Sequence, residues 1–246
     1  MKNSFFCKNL FINLYERPSF NSKVSSQILY GEKFKILLKK GGWLKIRTSF
    51  DKYVGYIKKK NYSENFSPTH KINALKANIF SFPKNSNKYK LKKFLPFASR
   101  IEILKEYKNF IMFEKNKWLY VKDIKKNSHQ EKNFVKILKM FINCKYKWGG
   151  KTHDGIDCSA LLQIFFQFNN KFAPRDTKDQ IKFFNKKNRF IIKKHLIFWK
   201  GHVAICISKN LLIHAYGPKK KVLIMNINKT INEIRQNANL EVITKT

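Results

Sequence analysis

Residues 146–163 read Tyr-Lys-Trp-Gly-Gly-Lys-Thr-His-Asp-Gly-Ile-Asp-Cys-Ser-Ala-Leu-Leu-Gln, a polar, glycine-punctuated loop that runs into an apolar helix at Cys158. From Cys158 through Leu161, Leu162, Ile164, Phe165, Phe166 and Phe168 the segment is apolar nearly all round. Such a helix has to be buried among neighbours rather than laid on a surface. Its first turn carries unsatisfied N–H groups and partial positive charge, a setting that lowers the pKa of a thiol placed there. Downstream, His202 in Gly-His-Val-Ala-Ile-Cys-Ile and His214 in Leu-Leu-Ile-His-Ala lie in strand-like runs. A nucleophile (Cys158), a general base (His202) and a group to orient that base (His214) are therefore all present, the set a cysteine hydrolase needs. A lone histidine in an apolar strand is more often a satisfied core residue; two of them together with a cysteine at a helix start favour catalysis.

The hydrophobic period changes along the chain. Before residue 62 it is β-like: Phe34–Leu38, a Gly41-Gly42 turn, Trp43–Arg47, a polar loop and Tyr53–Ile57. Residues 100–121 repeat that rhythm with Arg100–Leu104, Phe110–Phe113 and Trp118–Val121, and Glu32 to Trp43 matches Ser99 to Phe110 in spacing. Short strands at this spacing predict two copies of a small barrel. The polar stretches 61–70 and 125–132 read as linkers. Phe134, Ile137, Leu138 and Phe141 then fall on one helical face. Thr177-x-x-Gln180 has the form of a capping box, and Leu196–Trp199, His202–Ile207, Leu211–Ala215 and Val222–Met225 read as successive strands. The predicted fold class is α+β: two small β-barrels at 1–62 and 70–125, and a domain at 131–246 with helices packed on an antiparallel sheet.

Composition excludes several classes. A chain of 246 residues that is 43% hydrophobic and 15% aromatic can fill the cores of two or three small domains. No run approaches the roughly 20 apolar residues of a membrane span, and Lys8 and Asn9 break the N-terminal apolar run, so a cytoplasmic setting is expected. Cys7, Cys144, Cys158 and Cys206 lack disulfide-framework spacing; all but Cys158 are expected as small core residues. A zinc site drawn from Cys144, His153, Cys158, His202, Cys206 and His214 is the chemical rival, but no Cys-x-x-Cys or His-Glu-x-x-His spacing occurs, so no metal and no cofactor are expected. His153 is expected to be exposed. The net charge of +37 comes from lysine spread through every segment, with short clusters at 58–60, 92–93 and 219–221. That pattern fits solvated faces better than a nucleic-acid stripe, so no specific nucleic-acid partner is expected.

The runs Tyr146-x-Trp-Gly-Gly, Gly155-Ile-Asp-Cys-Ser, Pro174-Arg-Asp-Thr-x-x-Gln180, Gly201-His-Val-Ala-Ile and Leu212-Ile-His-Ala resemble the NlpC/P60 cysteine peptidases, in the family's order and spacing. The resemblance is specific over 133–246 and looser over 1–125, where two segments look like bacterial SH3 (SH3b) domains. It implies a papain-like catalytic domain that cuts peptides of bacterial cell-wall origin, here a small murein peptide cleaved at a γ-D-glutamyl-diamino acid bond, in recycling. It implies that the Tyr146 hydroxyl assists the Cys158 backbone N–H as an oxyanion donor, packing being the other use for Tyr146. By motif match, Asp157, Ser159, Arg175, Asp176 and Thr177 line the cleft, while Glu32 and Tyr53 close its far end around a substrate ammonium; ordinary barrel surface is the alternative for those two. Ala160 replaces the family's usual Gly, and Lys194-His195 its usual Gly-Asp. An SH3b cell-wall peptide binder with an inactive catalytic domain is the rival from another class.

Overall fold

The computed structural model describes residues 4–59, 61–186 and 195–245. The chain divides into two compact units, 1–130 and 131–246.

The first unit is all β apart from short 3₁₀ turns. A seven-stranded antiparallel sheet runs in the order Val24–Leu29, Phe11–Tyr15, Val54–Lys58, Trp43–Thr48, Lys33–Lys40, Phe5–Cys7, Tyr62–Ser63. Cys7, Leu14, Ile28, Phe34, Leu44, Ile46 and Ile57 fill its core. Residues 70–126 form two further sheets, one of five strands (Lys90–Pro96, Lys76–Phe80, Lys117–Tyr120, Phe110–Glu114, Lys105–Tyr107) and one of three (Arg100–Ile101, His70–Ile72, Ile124–Lys126). The strand expected over 100–104 is broken, because Arg100–Ile101 pairs with His70–Lys71 whereas 105–107 pairs with 110–112 in the other sheet.

The two halves of this unit share a local device. Gly31 and Ala98 both have positive φ, +74° and +66°. The residue after each donates its N–H three residues back, Glu32 to the Leu29 carbonyl at 3.1 Å and Ser99 to the Pro96 carbonyl at 3.2 Å. These turns touch: Arg100 N donates to the Tyr30 carbonyl at 2.8 Å, and a Cβ on Gly31 would come within 2.1 Å of the Arg100 carbonyl oxygen. The stretch 61–70, expected as a linker, instead sends Phe66 into a core with Tyr30, Ile72, Ile79 and Phe113. Beyond it, the fully buried Lys71 donates to the carbonyls of Asn127 and His129, so the start of the second expected linker is also held.

In the second unit, α1 (Phe134–Lys139), α2 (Cys158–Phe168), α3 (Thr177–Lys186) and α4 (Ile227–Ala238) accompany a five-stranded antiparallel sheet. The order is Lys221–Asn226, Leu211–Tyr216, His202–Cys206, Leu196–Trp199, Thr244–Lys245. Helix α2 is buried at every position but Phe165, as its all-round apolarity requires, and it contacts the His202–Cys206 and Leu211–Tyr216 strands. Its N-cap Asp157 accepts the Ala160 N–H at 2.8 Å. That cap and the sheet contacts fix Cys158 against the central strands. The expected capping box is not formed: α3 starts at Thr177, and the Gln180 amide donates instead to the Ser159 and Pro174 carbonyls at 2.9 and 3.0 Å, tying α3 to the loop before it and to the first turn of α2.

Candidate active site

Cys158 opens α2 and is almost wholly buried. Its Sγ lies 3.9 Å from the Gly201 carbonyl oxygen and accepts from the backbone N–H of Val203, so the thiol rests against the chain on both sides of His202. His202 begins its strand and His214 lies on the next one. The register Ile205↔Ile213 makes these histidines diagonal neighbours on one face, which is close enough for rings to meet. His202 Nε2 is 3.0 Å from His214 Nδ1. Around them, Tyr216 stacks on His214 at 4.6 Å and Trp199 lies 5.6 Å from His202, centroid to centroid.

The electrostatics depart from the sequence expectation. Burial, with the Asp157 carboxylate adding to it, pushes the Cys158 thiol up to about 11, against the opposing N–H groups of Val203 and Ser159 and the Arg175 charge. Burial alone pulls His202 down to about 4, and burial with its neighbour His202 pulls His214 down to about 3. Desolvation penalises every charged form and here outweighs the helix terminus. Both shifts run against a thiolate–imidazolium pair at rest.

The motif residues around the cysteine are brought together, though in a supporting arrangement. Asp157 is buried and accepts from Gly149 N at 2.9 Å, from Ala160 N, from Ser159 Oγ at 3.1 Å and from both terminal nitrogens of Arg175 at 3.0 and 2.6 Å. Ser159 Oγ also accepts from Arg175 at 2.8 Å. Asp157, Ser159 and Arg175 thus lock the glycine loop to the start of α2. Gly150 belongs to that loop, and a Cβ there would come within 2.3 Å of the Gly155 carbonyl oxygen. Thr177 is buried and Asp176 exposed. Tyr146 lies half-buried beside the site: burial first, then Cys158 and Asp157, raise its hydroxyl above the ordinary tyrosine value. Trp148, in the same loop, is 61% exposed. His153, expected to be exposed, has a side chain only 5% exposed, its Nε2 3.1 Å from Asp154 Oδ1. Lys194 falls outside the described residues; His195 rests 5.1 Å from Phe134, ring to ring.

Glu32 and Tyr53 belong to the first unit. The Glu32 carboxylate is turned into its own hairpin, where it accepts the Leu29 N–H at 2.5 Å, and it is only 7% exposed. Tyr53 packs beside the first core. Both side chains have an occupation inside their module other than the expected contact with an ammonium.

No disulfide joins the four cysteines. Among the described residues no cluster of histidine, cysteine and carboxylate groups could hold a metal ion, and no helix is long and apolar enough to cross a membrane. Sequence reasoning missed Tyr216 and the Arg175–Asp157 pair. Tyr216 was visible as the residue two beyond His214 on the same strand face.

Residues 143–239 match the NlpC/P60 family profile, and residues 14–61 match the profile of the bacterial dipeptidyl-peptidase Sh3 domain. The chain is 26% identical over 229 residues to dipeptidyl-peptidase 6 of Lysinibacillus sphaericus, covering 82% of this chain and 84% of that protein. It is 24% identical over 243 residues to the gamma-D-glutamyl-L-lysine dipeptidyl-peptidase of Bacillus cereus, covering 84% and 72% of the two. In fold it is similar to the crystal structure of an NlpC/P60 family protein from Bacillus cereus, with a TM-score of 0.74 at 19% identity and coverage of 92% and 94%. The chain thus carries an SH3-like domain ahead of an NlpC/P60 domain, both located in the sequence, and by the latter domain it is a cysteine-type peptidase.

Proposed function

We propose that Cys158, His202 and His214 form the catalytic set of a peptidase that cleaves γ-D-glutamyl-diamino acid bonds in short murein peptides. The observation that carries it is the 3.0 Å contact between His202 Nε2 and His214 Nδ1, with the Cys158 thiol seated against the backbone flanking His202. In this reading His202 takes the thiol proton through Nδ1 as the sulfur attacks the amide carbonyl, and returns it to the leaving amine. The Cys158 backbone N–H stands in the first turn of α2, where no intrahelical acceptor exists, and with the Tyr146 hydroxyl it binds the developing oxyanion. Water then hydrolyses the thioester, with His202 again as base. A thiol and a neutral imidazole at rest suit this route, since charge is created only when the substrate closes the site.

The bond assignment is supported by the two dipeptidyl-peptidase relatives, each similar over more than four-fifths of the chain. The repeated turns at Gly31 and Ala98 support reading residues 70–125 as a second SH3-like module. Cysteines without a disulfide framework fit a reducing, cytoplasmic place of action in peptide recycling. The test is turnover of L-Ala-γ-D-Glu-diamino acid tripeptide by the wild type and by Cys158→Ala. Release of L-Ala-D-Glu by the wild type alone is expected. Binding of the tripeptide without cleavage would favour a cell-wall peptide binder, and cleavage by Cys158→Ala would remove the nucleophile assignment.

A further inference from the structure

His214 meets a different partner at each ring nitrogen: Nδ1 faces His202 Nε2 at 3.0 Å, and Nε2 faces the Met225 sulfur at 3.4 Å. The second contact follows from sheet register. His214 pairs with Leu223 and Leu212 with Met225, so Met225 is the diagonal neighbour of His214 on the adjacent strand. A thioether accepts a hydrogen bond and has no proton to donate. Only a protonated Nε2 makes a bond there; a bare Nε2 would set two lone pairs against each other. A neutral imidazole carries one N–H. With that proton on Nε2, His214 Nδ1 is an acceptor, and the proton between the rings belongs to His202 Nε2. His202 is then left with its lone pair on Nδ1.

We propose that Met225 is a positioning residue, whose sulfur fixes the tautomers of His214 and His202 so that the free lone pair of the pair lies on His202 Nδ1. The reversed chain keeps the ring-to-ring bond but loses the one to sulfur. It also places a proton on His202 Nδ1, where the thiol proton has to arrive. One net hydrogen bond biases the equilibrium toward the productive chain on the order of five- to tenfold. A carboxylate in place of the sulfur would hold the same tautomer but would draw a second proton onto His214; the uncharged thioether orients the ring without doing so.

The inference rests on the reading of His202 as base, and the two can fail separately. Long-range ¹H–¹⁵N correlation of the imidazole nitrogens at pH 7 should show both histidines protonated at Nε2 in the wild type and in Cys158→Ala. Met225→Leu keeps the volume and removes the acceptor; it should give mixed tautomers and lower kcat about twofold with KM unchanged, since the productive fraction falls to about one half. Met225→Gln, with an amide oxygen able to accept at that place, should restore the wild-type pattern. Unchanged tautomers in Met225→Leu, or a wild-type His214 protonated at Nδ1, would overturn the proposal. Tautomers that shift while kcat stays constant would instead overturn the assignment of His202 as base.

Discussion

Arg175 and Asp157 meet as a buried bidentate pair, one guanidinium nitrogen 2.6 Å from Oδ2 and the other 3.0 Å from Oδ1. The same carboxylate caps α2 and holds the Gly149 N–H, so one side chain ties the loop, the helix start and the entry to α3 together. Removing one partner of a buried pair strands the other charge and costs about 3–5 kcal/mol. Arg175→Met is therefore expected to lower the thermal midpoint and activity together. Arg175→Lys, which keeps the charge but cannot make the fork, should recover only part. Thermal unfolding of both variants beside Cys158→Ala checks this, since the cysteine variant should lose activity alone; a normal midpoint for Arg175→Met would mean the pair is not structural.

Gly31→Ala tests the turn at which the two halves of the first unit touch. An added Cβ meets the Arg100 carbonyl at 2.1 Å, and the backbone sits at φ +74°, so strain and clash add. The expected loss is about 2 kcal/mol or more. It should appear in unfolding of the first unit, with the intrinsic fluorescence of Trp43 and Trp118 reporting early. A neutral Gly31→Ala would show that Arg100 can move away freely.

The parts of this molecule written in local pattern were legible in its sequence. The buried α2 followed from apolarity on all sides, and the four long strands of the second unit's sheet from their short apolar runs and spacing. Cys158, His202 and His214 could be named because each sits at a recognisable place in such an element. The pairing of Asp157 with Arg175 spans 18 positions and depends on how α3 enters, which no local pattern encodes. The upward pull of burial on the Cys158 thiol was not legible for a related reason. A helix N-terminus is visible in sequence, but the burial that overrides it depends on everything packed around the thiol. α4 went unnoticed although Ile227, Ile231 and Ile234 repeat at helical spacing after the Asn226 cap.

Glu32 offers a test between two uses of one carboxylate. Held by the Leu29 N–H in a buried turn, it stabilises the turn. Glu32→Gln keeps an acceptor for that N–H but loses the charge, so it should destabilise the first unit by about 1 kcal/mol and lower its midpoint. The ratio of kcat/KM for free and N-acetylated tripeptide should stay as in the wild type. A ratio that collapses toward one in Glu32→Gln, with stability intact, would return Glu32 to the substrate.

The histidine pair predicts an acid limb of stability. Both rings are neutral when folded, His202 down to about 4 and His214 to about 3 from an ordinary 6.5. Below pH 6.5 the unfolded chain takes up protons that the folded chain refuses, so stability falls as pH drops from 6.5 through those lowered values. His214→Asn removes one such group, and its midpoint should decline less steeply than that of the wild type between pH 7 and pH 4. Parallel curves would assign the acid sensitivity to other groups.

The Cys158 thiol supplies the sharpest test, because the two possible resting states react at different pH. A thiolate–imidazolium pair would be alkylated rapidly from mildly acidic pH upward. With the thiol held at about 11 by burial and Asp157, and His202 uncharged above about 4, the free enzyme instead holds its proton on sulfur across the neutral range. Iodoacetamide labelling of Cys158 should therefore be slow at pH 7 and climb toward pH 11, with thiolate absorbance rising over the same interval. The folded thiol titrates above the unfolded value of 9, so stability contributed by this group is present below pH 9 and is lost as pH rises through 11. Turnover should not follow the labelling curve, since substrate brings its own demand for the proton at His202 and need not wait for a free thiolate. A labelling rate already at its plateau by pH 6 would show that the ion pair exists at rest and that the charge of His202, not burial, governs Cys158.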